Sequence, residues 1–188
     1  MKRQDYKKEP FSLLIINAQK DNPKAIEELI RRIQKQIYTI YSHLVDNRND
    51  ISDLTQEALI RIAKHLKTLK DTNKFKIWMN QIVTNVFFDY CKKKSKYNVD
   101  FDNNKLTKIK DKIGCSPGEK CLFSEIEDII NAALMGLPKN LRISLVLREY
   151  EGLSYQEIAE ITKTALGTVK SRISRAREKL QQELKDFI

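Results

Sequence analysis

Between Gly167 and Arg177 the chain reads GTVKSRISRAR, four cations in eleven residues and no acid. Solvated helices usually mix signs at i, i+4, which gains about 0.2–0.5 kcal/mol per pair. Here Lys170, Arg172, Arg175 and Arg177 repel one another, which makes sense if an anion is to arrive. On a helical wheel of about 100° per residue, Val169, Ile173, Ala176 and Leu180 form one apolar stripe. Ser171, Ser174 and Arg175 lie opposite it, Lys170, Arg172 and Arg177 flank it, and the first acid is Glu178. Arginine can bond two guanine acceptors at once, serine can reach base edges or phosphate, and Lys170 and Arg177 suit backbone phosphates. A face of that kind fits the major groove of duplex DNA.

Two further groups could do chemistry. Asp50, Asp53 and Glu57 fall at i, i+3, i+7 along one edge. A metal-dependent nuclease would need such acids to converge, whereas these are strung along a helix start with no His or Ser nucleophile nearby. They suit the positive end of a helix, or a basic surface on a protein partner. The second group is Phe75, Trp78, Asn80, Gln81, Asn85, Phe87, Phe88 and Tyr90, followed by Lys92-Lys93-Lys94-Ser95-Lys96. An unstacked base wants an aromatic or amide-lined pocket beside a cationic rail. Yet Phe75, Trp78, Ile82 and Val86 keep helical spacing, which makes Trp78 a core residue before a stacking platform. The lysine run reads equally as a phosphate contact and as a solvated helix end.

The elements that position these residues are helices. Asn22-Pro23 is an N-cap with proline in the first turn, and Ile26, Leu29, Ile30, Ile33, Ile37, Ile40 and Tyr41 then repeat at helical spacing. A break at Asn47-Arg48-Asn49 precedes a helix with Leu54, Ala58, Ile62, Leu66 and Leu69 on one face. After the polar turn Lys70–Lys74 a third helix opens near Phe75. Residues 97–121 have no sustained period and read as a flexible linker. Ser124-Glu-Ile-Glu is a capping-box pattern expected to open the second block. Leu137-Pro138 and Glu151-Gly152 delimit the next helix. A second box, Ser154 to Glu157, opens a short helix, and the turn Lys163–Gly167 leads into the cationic one. Short helix, tight turn, longer basic helix is a helix-turn-helix layout. The expected fold class is all-α: two small helical domains, residues 11–96 and 122–188, joined by the linker.

Composition agrees. Lys and Arg outnumber Asp and Glu by 35 to 25, for a net charge of +10. Such a surplus points to a polyanion, nucleic acid before membrane surface. Three cysteines at no metal-like spacing and two distant histidines, His43 and His65, imply no metal or cofactor site. Cys91 is expected buried and inert. A Cys115–Cys121 disulfide is geometrically possible, but a basic intracellular protein keeps its thiols reduced. No secretory signal or apolar run of spanning length is visible, so a cytoplasmic location without membrane insertion is expected.

GLSYQEIAEITKTALGTVKSRISRAREKL (152–180) resembles region 4.2 of bacterial sigma factors of the extracytoplasmic-function (ECF) group. LPKNLRISLVLREYE (137–151) is similar to region 4.1, DISDLTQEALIRIAKHL (50–66) to region 2.2, and FKIWMNQIVTNVFFDYCKKKSK (75–96) to regions 2.3 and 2.4. The wording of the second block is similar to the envelope-stress members. The resemblance implies a non-enzymatic promoter-specificity factor for core RNA polymerase, acting in a stress response. Thr168, Lys170, Ser171, Arg172, Ser174, Arg175 and Arg177 would bind the −35 element. Asn73, Lys74, Phe75, Gln81, Asn85, Lys92 and Lys93 would recognise and melt the −10 element. Asp50, Asp53, Leu54, Gln56 and Glu57 would dock on the β′ clamp helices of the polymerase, the second block would meet the β flap, and an anti-sigma factor would hold the chain inactive. The competing reading is a stand-alone helix-turn-helix regulator whose first block senses a ligand or dimerises.

Overall fold

The computed structural model describes residues 6–97 and 119–185, for 96–97 and 119–125 the backbone alone. Among them are eight α-helices and no strand. The first block holds α1 (Phe11–Gln19), α2 (Pro23–Ser42), α3 (Arg48–His65) and α4 (Phe75–Tyr97). The second holds α5 (Glu119–Gly136), α6 (Lys139–Glu149), α7 (Tyr155–Thr162) and α8 (Leu166–Leu184). The expected linker lies almost wholly outside the described residues, as do Cys115 and the side chain of Cys121.

Asn22 caps α2 as its type predicts, its carboxamide oxygen accepting from the N–H groups of Lys24 and Ala25. The stripe that follows is buried at Ala25, Leu29, Ile33, Ile37, Ile40 and Tyr41, while Ile26 and Ile30 lie at its half-exposed shoulders. Tyr41 is wholly buried, and its hydroxyl donates to the Val83 carbonyl at 3.0 Å, which satisfies a polar group that water cannot reach. Helix α2 packs between α1 and α3, and α3 packs on α4. Asn47 caps α3. Leu54, Ala58 and Ile62 are buried along it as expected, but α3 ends at His65. Leu66 and Leu69 reach the same core from a 3-10 turn, where Gln19 Nε2 donates to both of their carbonyls.

At the start of the chain Glu28 accepts from Arg31 and Arg32 at 2.7 and 2.8 Å. Arg32 goes on to donate to the carbonyls of Tyr6 and Glu9. These two guanidinium bonds hold the Glu28 carboxyl at about 2, against an ordinary 4.5.

In the second block α5 begins at Glu119, so Ser124 lies inside a helix and its capping-box pattern does not open it. Ser154 does: its hydroxyl accepts from the Glu157 N–H at 3.2 Å, and Glu157 accepts from the Ser154 N–H at 2.7 Å. Gly152, with φ +66°, makes the left-handed step that turns α6 into that cap. The connection between α7 and α8 is shorter than expected. Lys163 takes the left-handed conformation itself (φ 51°), the Thr164 N–H returns to the Ala159 carbonyl, and Gly167 already belongs to α8. Val169, Ile173 and Ala176 are buried against α6 and α7, beside Ile143, Val146, Ile158 and Ile161.

Two measurements follow from these local devices. Ser154→Ala should cost about 1 kcal/mol in urea unfolding through loss of the cap. The Glu28 contribution is complete above its unfolded value of 4.5 and is lost as pH falls towards 2. Glu28→Gln should therefore flatten the acid limb of the stability curve in that window, a flattening absent if the arginines do not bond it in solution.

Candidate nucleic-acid interface

The buried stripe of α8 decides what faces outward. Because Val169, Ile173 and Ala176 point into the core, Lys170, Ser171, Ser174 and Arg175 are exposed, and Thr168 and Arg172 sit half-exposed at the edges. Arg177 differs from the sequence expectation. Its guanidinium donates to Glu149 of α6 at 2.6 Å, and that carboxylate raises the arginine's pKa. It is an exposed strut between α6 and α8 with its charge already answered. Glu178, exposed one turn on, accepts from the Ser174 hydroxyl at 3.1 Å, which puts the first acid at the C-terminal end of this face. Near the start of the helix-turn-helix, Arg148 lies over the Tyr155 ring at 4.9 Å and donates to the Leu153 carbonyl, bracing the α6–α7 corner.

On α4 the expected residues separate. At about 100° per residue, Gln81, Asn85 and Lys92 fall within about 40° of one another. Asn85 and Lys92 are exposed and Gln81 half-exposed. Asn73 and Lys74 are exposed in the 3-10 turn Thr72–Lys74 that leads into α4, with Asp71 capping that turn. Phe75 leaves the set: it is 3% exposed, with its ring edge-on to Phe11 at 5.2 Å. A phenylalanine at the first position of a helix that lies on the core has nowhere to point but inward. Trp78 packs against Phe75 at 5.7 Å at the edge of the core and stays half-exposed. Lys93 is exposed but stands about 100° from Lys92. Lys94 is not part of a free rail. It donates to the Tyr90 hydroxyl at 2.8 Å, and the Tyr90 hydroxyl donates to Asp50 at 2.7 Å. Cys91 is half-buried, and burial pushes its thiol pKa up, away from the reactive thiolate.

That chain of contacts also changes the acidic edge of α3. Asp50 is engaged by Tyr90 and lies 3.5 Å from Lys94. Glu57 accepts from Arg61, which in turn donates to Asp89 of α4 at 2.9 Å; the bond to Asp89, followed by the one to Glu57, raises the arginine's pKa. Leu54 is 4% exposed and belongs to the core rather than to a docking surface, as its place on the Ala58–Ile62 stripe dictates. Asp53 and Gln56 are exposed on one strip of α3, and Ile60, 53% exposed, continues it one turn on. Ile60 was missed from sequence; its signal is an isoleucine off the apolar stripe. Among the described residues no cluster of His, Cys, Asp and Glu could hold a metal ion, and no helix is long and apolar enough to cross a membrane.

The molecule thus presents a helix-turn-helix with a cationic, hydroxyl-bearing reading face and a second helical module with amides and lysines outward, an arrangement fitted to nucleic acid at two places. Comparison with known proteins specifies the class. Residues 29–97 match the family model of sigma-70 region 2, and residues 127–180 that of sigma-70, region 4. The ECF RNA polymerase sigma-E factor of Haemophilus influenzae is 31% identical over 183 residues, covering 93% of this chain and 95% of that protein. The protein of the same name from Escherichia coli (strain K12) is 30% identical over 182 residues, covering 94% and 95%. Among solved structures, CnrH in complex with the cytosolic domain of CnrY superposes with a TM-score of 0.67 at 20% identity, over 97% of this chain and 99% of that one. The sigma factor RpoE from Bartonella quintana, in complex with the anti-sigma factor NepR, gives 0.66 at 23% identity, over 86% and 98%. These two share the fold. The chain belongs to the ECF sigma factors of the sigma-70 family.

With its charge answered by Glu149, Arg177 should matter little beyond local packing. Arg177→Ala is expected to lower stability by less than about 1 kcal/mol, as exposed pairs do, and to leave DNA affinity nearly unchanged in a binding titration.

Proposed function

We propose that this chain directs core RNA polymerase to a specific set of promoters, contributing recognition while the polymerase supplies the catalysis. The observation that carries the reading is the exposed, cationic and hydroxyl-bearing face Lys170–Ser171–Ser174–Arg175 on the second helix of a helix-turn-helix. It stands in a chain that matches ECF sigma-E factors over nearly their whole length. That face is assigned to the −35 element as duplex, with Arg175 and the serines reading base edges and Lys170, Thr168 and Arg172 on the backbone.

Gln81, Asn85 and Lys92 of α4, with Asn73 and Lys74 in the preceding turn, are assigned to the −10 element. An amide-bearing face beside lysines suits bases that have left the stack. Asp53 and Gln56, with Ile60 between flanking charges, are assigned to the β′ clamp helices, and Asp50 and Glu57 support them from the shoulder of α3. In this reading α6–α8 meet the β flap and the factor acts in the cytoplasm without a cofactor. An anti-sigma factor restrains it until an envelope-type stress appears. Support for that restraint comes from the neighbour solved with an anti-sigma factor and from the sigma-E names of the relatives.

The test is transcription by purified core polymerase on a randomised promoter pool, with and without the chain. Transcripts starting at a fixed distance from two enriched boxes, only with the chain present, are expected; specific duplex binding by the chain alone with no such transcripts would make it a stand-alone regulator. Within the complex, Arg175→Ala should cost about 1–3 kcal/mol and relax sequence preference in the upstream box. Lys92→Ala should weaken all promoters evenly and flatten the salt dependence.

A further inference from the structure

The leading end of α8 differs in chemistry from the rest of its outward face. Ala165, Leu166 and Gly167 are all exposed, and none of them carries a polar side chain. Ala165 holds the N-cap position and makes no side-chain cap bond, where Ser, Thr, Asp or Asn would satisfy the first turn. On a helix otherwise lined with cations and hydroxyls, the tip is apolar.

Leu166 is the largest side chain of that tip. It opens the run 166, 169, 173, 176, 180 at helical spacing, and Val169, Ile173 and Ala176 of that run are buried. Leu166 is 37% exposed, so the core ends at Val169 and leaves the leucine outside it. On a wheel of about 100° per residue it stands about 40° from Lys170 and about 80° from Ser174. It therefore borders the reading face at the end where the helix begins.

Gly167 shows how closely a partner can approach there. It lies about 40° from Ser171 and about 20° from Ser174, in the middle of the face. Its backbone is helical rather than left-handed, and an added Cβ meets nothing within 4 Å among the described residues. The fold itself gives no reason for a glycine, which is less favourable than alanine in a helix. What the glycine supplies is room outside the chain. Along the centre of the face the side chains then lengthen, with Gly167, Ser171, Ser174 and Glu178 at i, i+4, i+7 and i+11. That order lets the start of α8 sit deepest against a duplex and keeps the Glu178 carboxylate farthest from it.

In the major groove the base edges present hydrogen-bonding groups and one prominent apolar group, the C5-methyl of thymine. Lysine, arginine and serine read the former. A leucine at the deepest end of the face, beside a glycine that leaves the approach open, is matched to the latter.

We infer that Leu166 reads a thymine methyl in the upstream promoter box, as an apolar specificity contact beside the polar ones. The assignment rests on the promoter function proposed above. Contact removes the methyl and the leucine from water together, so it favours thymine over cytosine without a hydrogen bond.

The test uses holoenzyme assembled from core polymerase and the full chain. In promoters selected from the randomised pool, each thymine of the upstream box, on either strand, is replaced in turn by deoxyuridine, which lacks only the methyl. With the wild-type chain one position is expected to lose about 3- to 10-fold in binding, the scale of one buried methyl. Leu166→Ala should weaken the thymine promoter by a similar factor and make that position indifferent to the replacement. Leu166→Met keeps the apolar reach and should keep the preference. Because Leu166 lies outside the core, both variants are expected to fold, which circular dichroism checks. A deoxyuridine penalty equally large in wild type and Leu166→Ala would overturn the methyl contact and leave the promoter function intact. So would the absence of a penalty at every thymine, or a selected box that holds none. A Leu166→Ala loss independent of the base at every position would place the leucine on the sugar-phosphate backbone and overturn it too. A pool that yields no box when chain and polymerase are both present overturns the promoter function, and the assignment with it.

Discussion

Helix α4 carries the constraint on which the rest of the molecule turns, because its one 23-residue surface has to serve three different surroundings. One arc, Phe75, Met79, Val83, Val86 and Phe87, is buried. A second, Lys76 and Asn80, is polar and bonds Glu151 of the second block. A third, Gln81, Asn85 and Lys92, faces outward. A helix used on all sides cannot show the two-faced periodicity of a surface helix. Its aromatic and amide residues therefore look interchangeable in sequence although they have different destinations.

The same logic governs α8 with one face fewer. Three buried residues, Val169, Ile173 and Ala176, anchor it, and their spacing leaves hydroxyls and cations on the opposite side. The packing also removes one cation from that side, since Glu149 of α6 lies where Arg177 emerges. What remains is a compact set whose mutual repulsion is tolerable only at a surface that an anion will meet. The rigidity beneath it comes from ordinary devices: the reciprocal Ser154–Glu157 cap, the left-handed step at Lys163, and Arg148 stacked on Tyr155.

On the other side of the molecule, tertiary contacts ration the acids of α3. Tyr90 takes Asp50 and Arg61 takes Glu57, so an edge that looks uniformly acidic on paper is, in three dimensions, an exposed Asp53 with Gln56 and an exposed isoleucine. Such a strip suits a protein partner better than a metal. Charge neutralised at its borders and an apolar residue left outside are what a docking surface needs and a chelating site does not.

The sequence by itself determined the helices and most of their ends, the helix-turn-helix, and the outward face of α8. Each of these follows from local rules: Asn22 as a cap, Ser154 with Glu157 as a box, and a stripe repeating at 3.6 residues. It misled where a local pattern was outvoted by its surroundings, at Ser124 inside α5 and at Gly167 inside α8. It misled also where a side chain's fate depends on a distant partner, as at Phe75, Leu54 and Arg177. Tertiary structure alone decided that Asn80 is buried, that Glu151 faces the other block, and that the two blocks touch. Nothing within a few residues of any of these carries that information, because a hydrogen bond between residues 36 and 151 costs no local propensity and leaves no local trace.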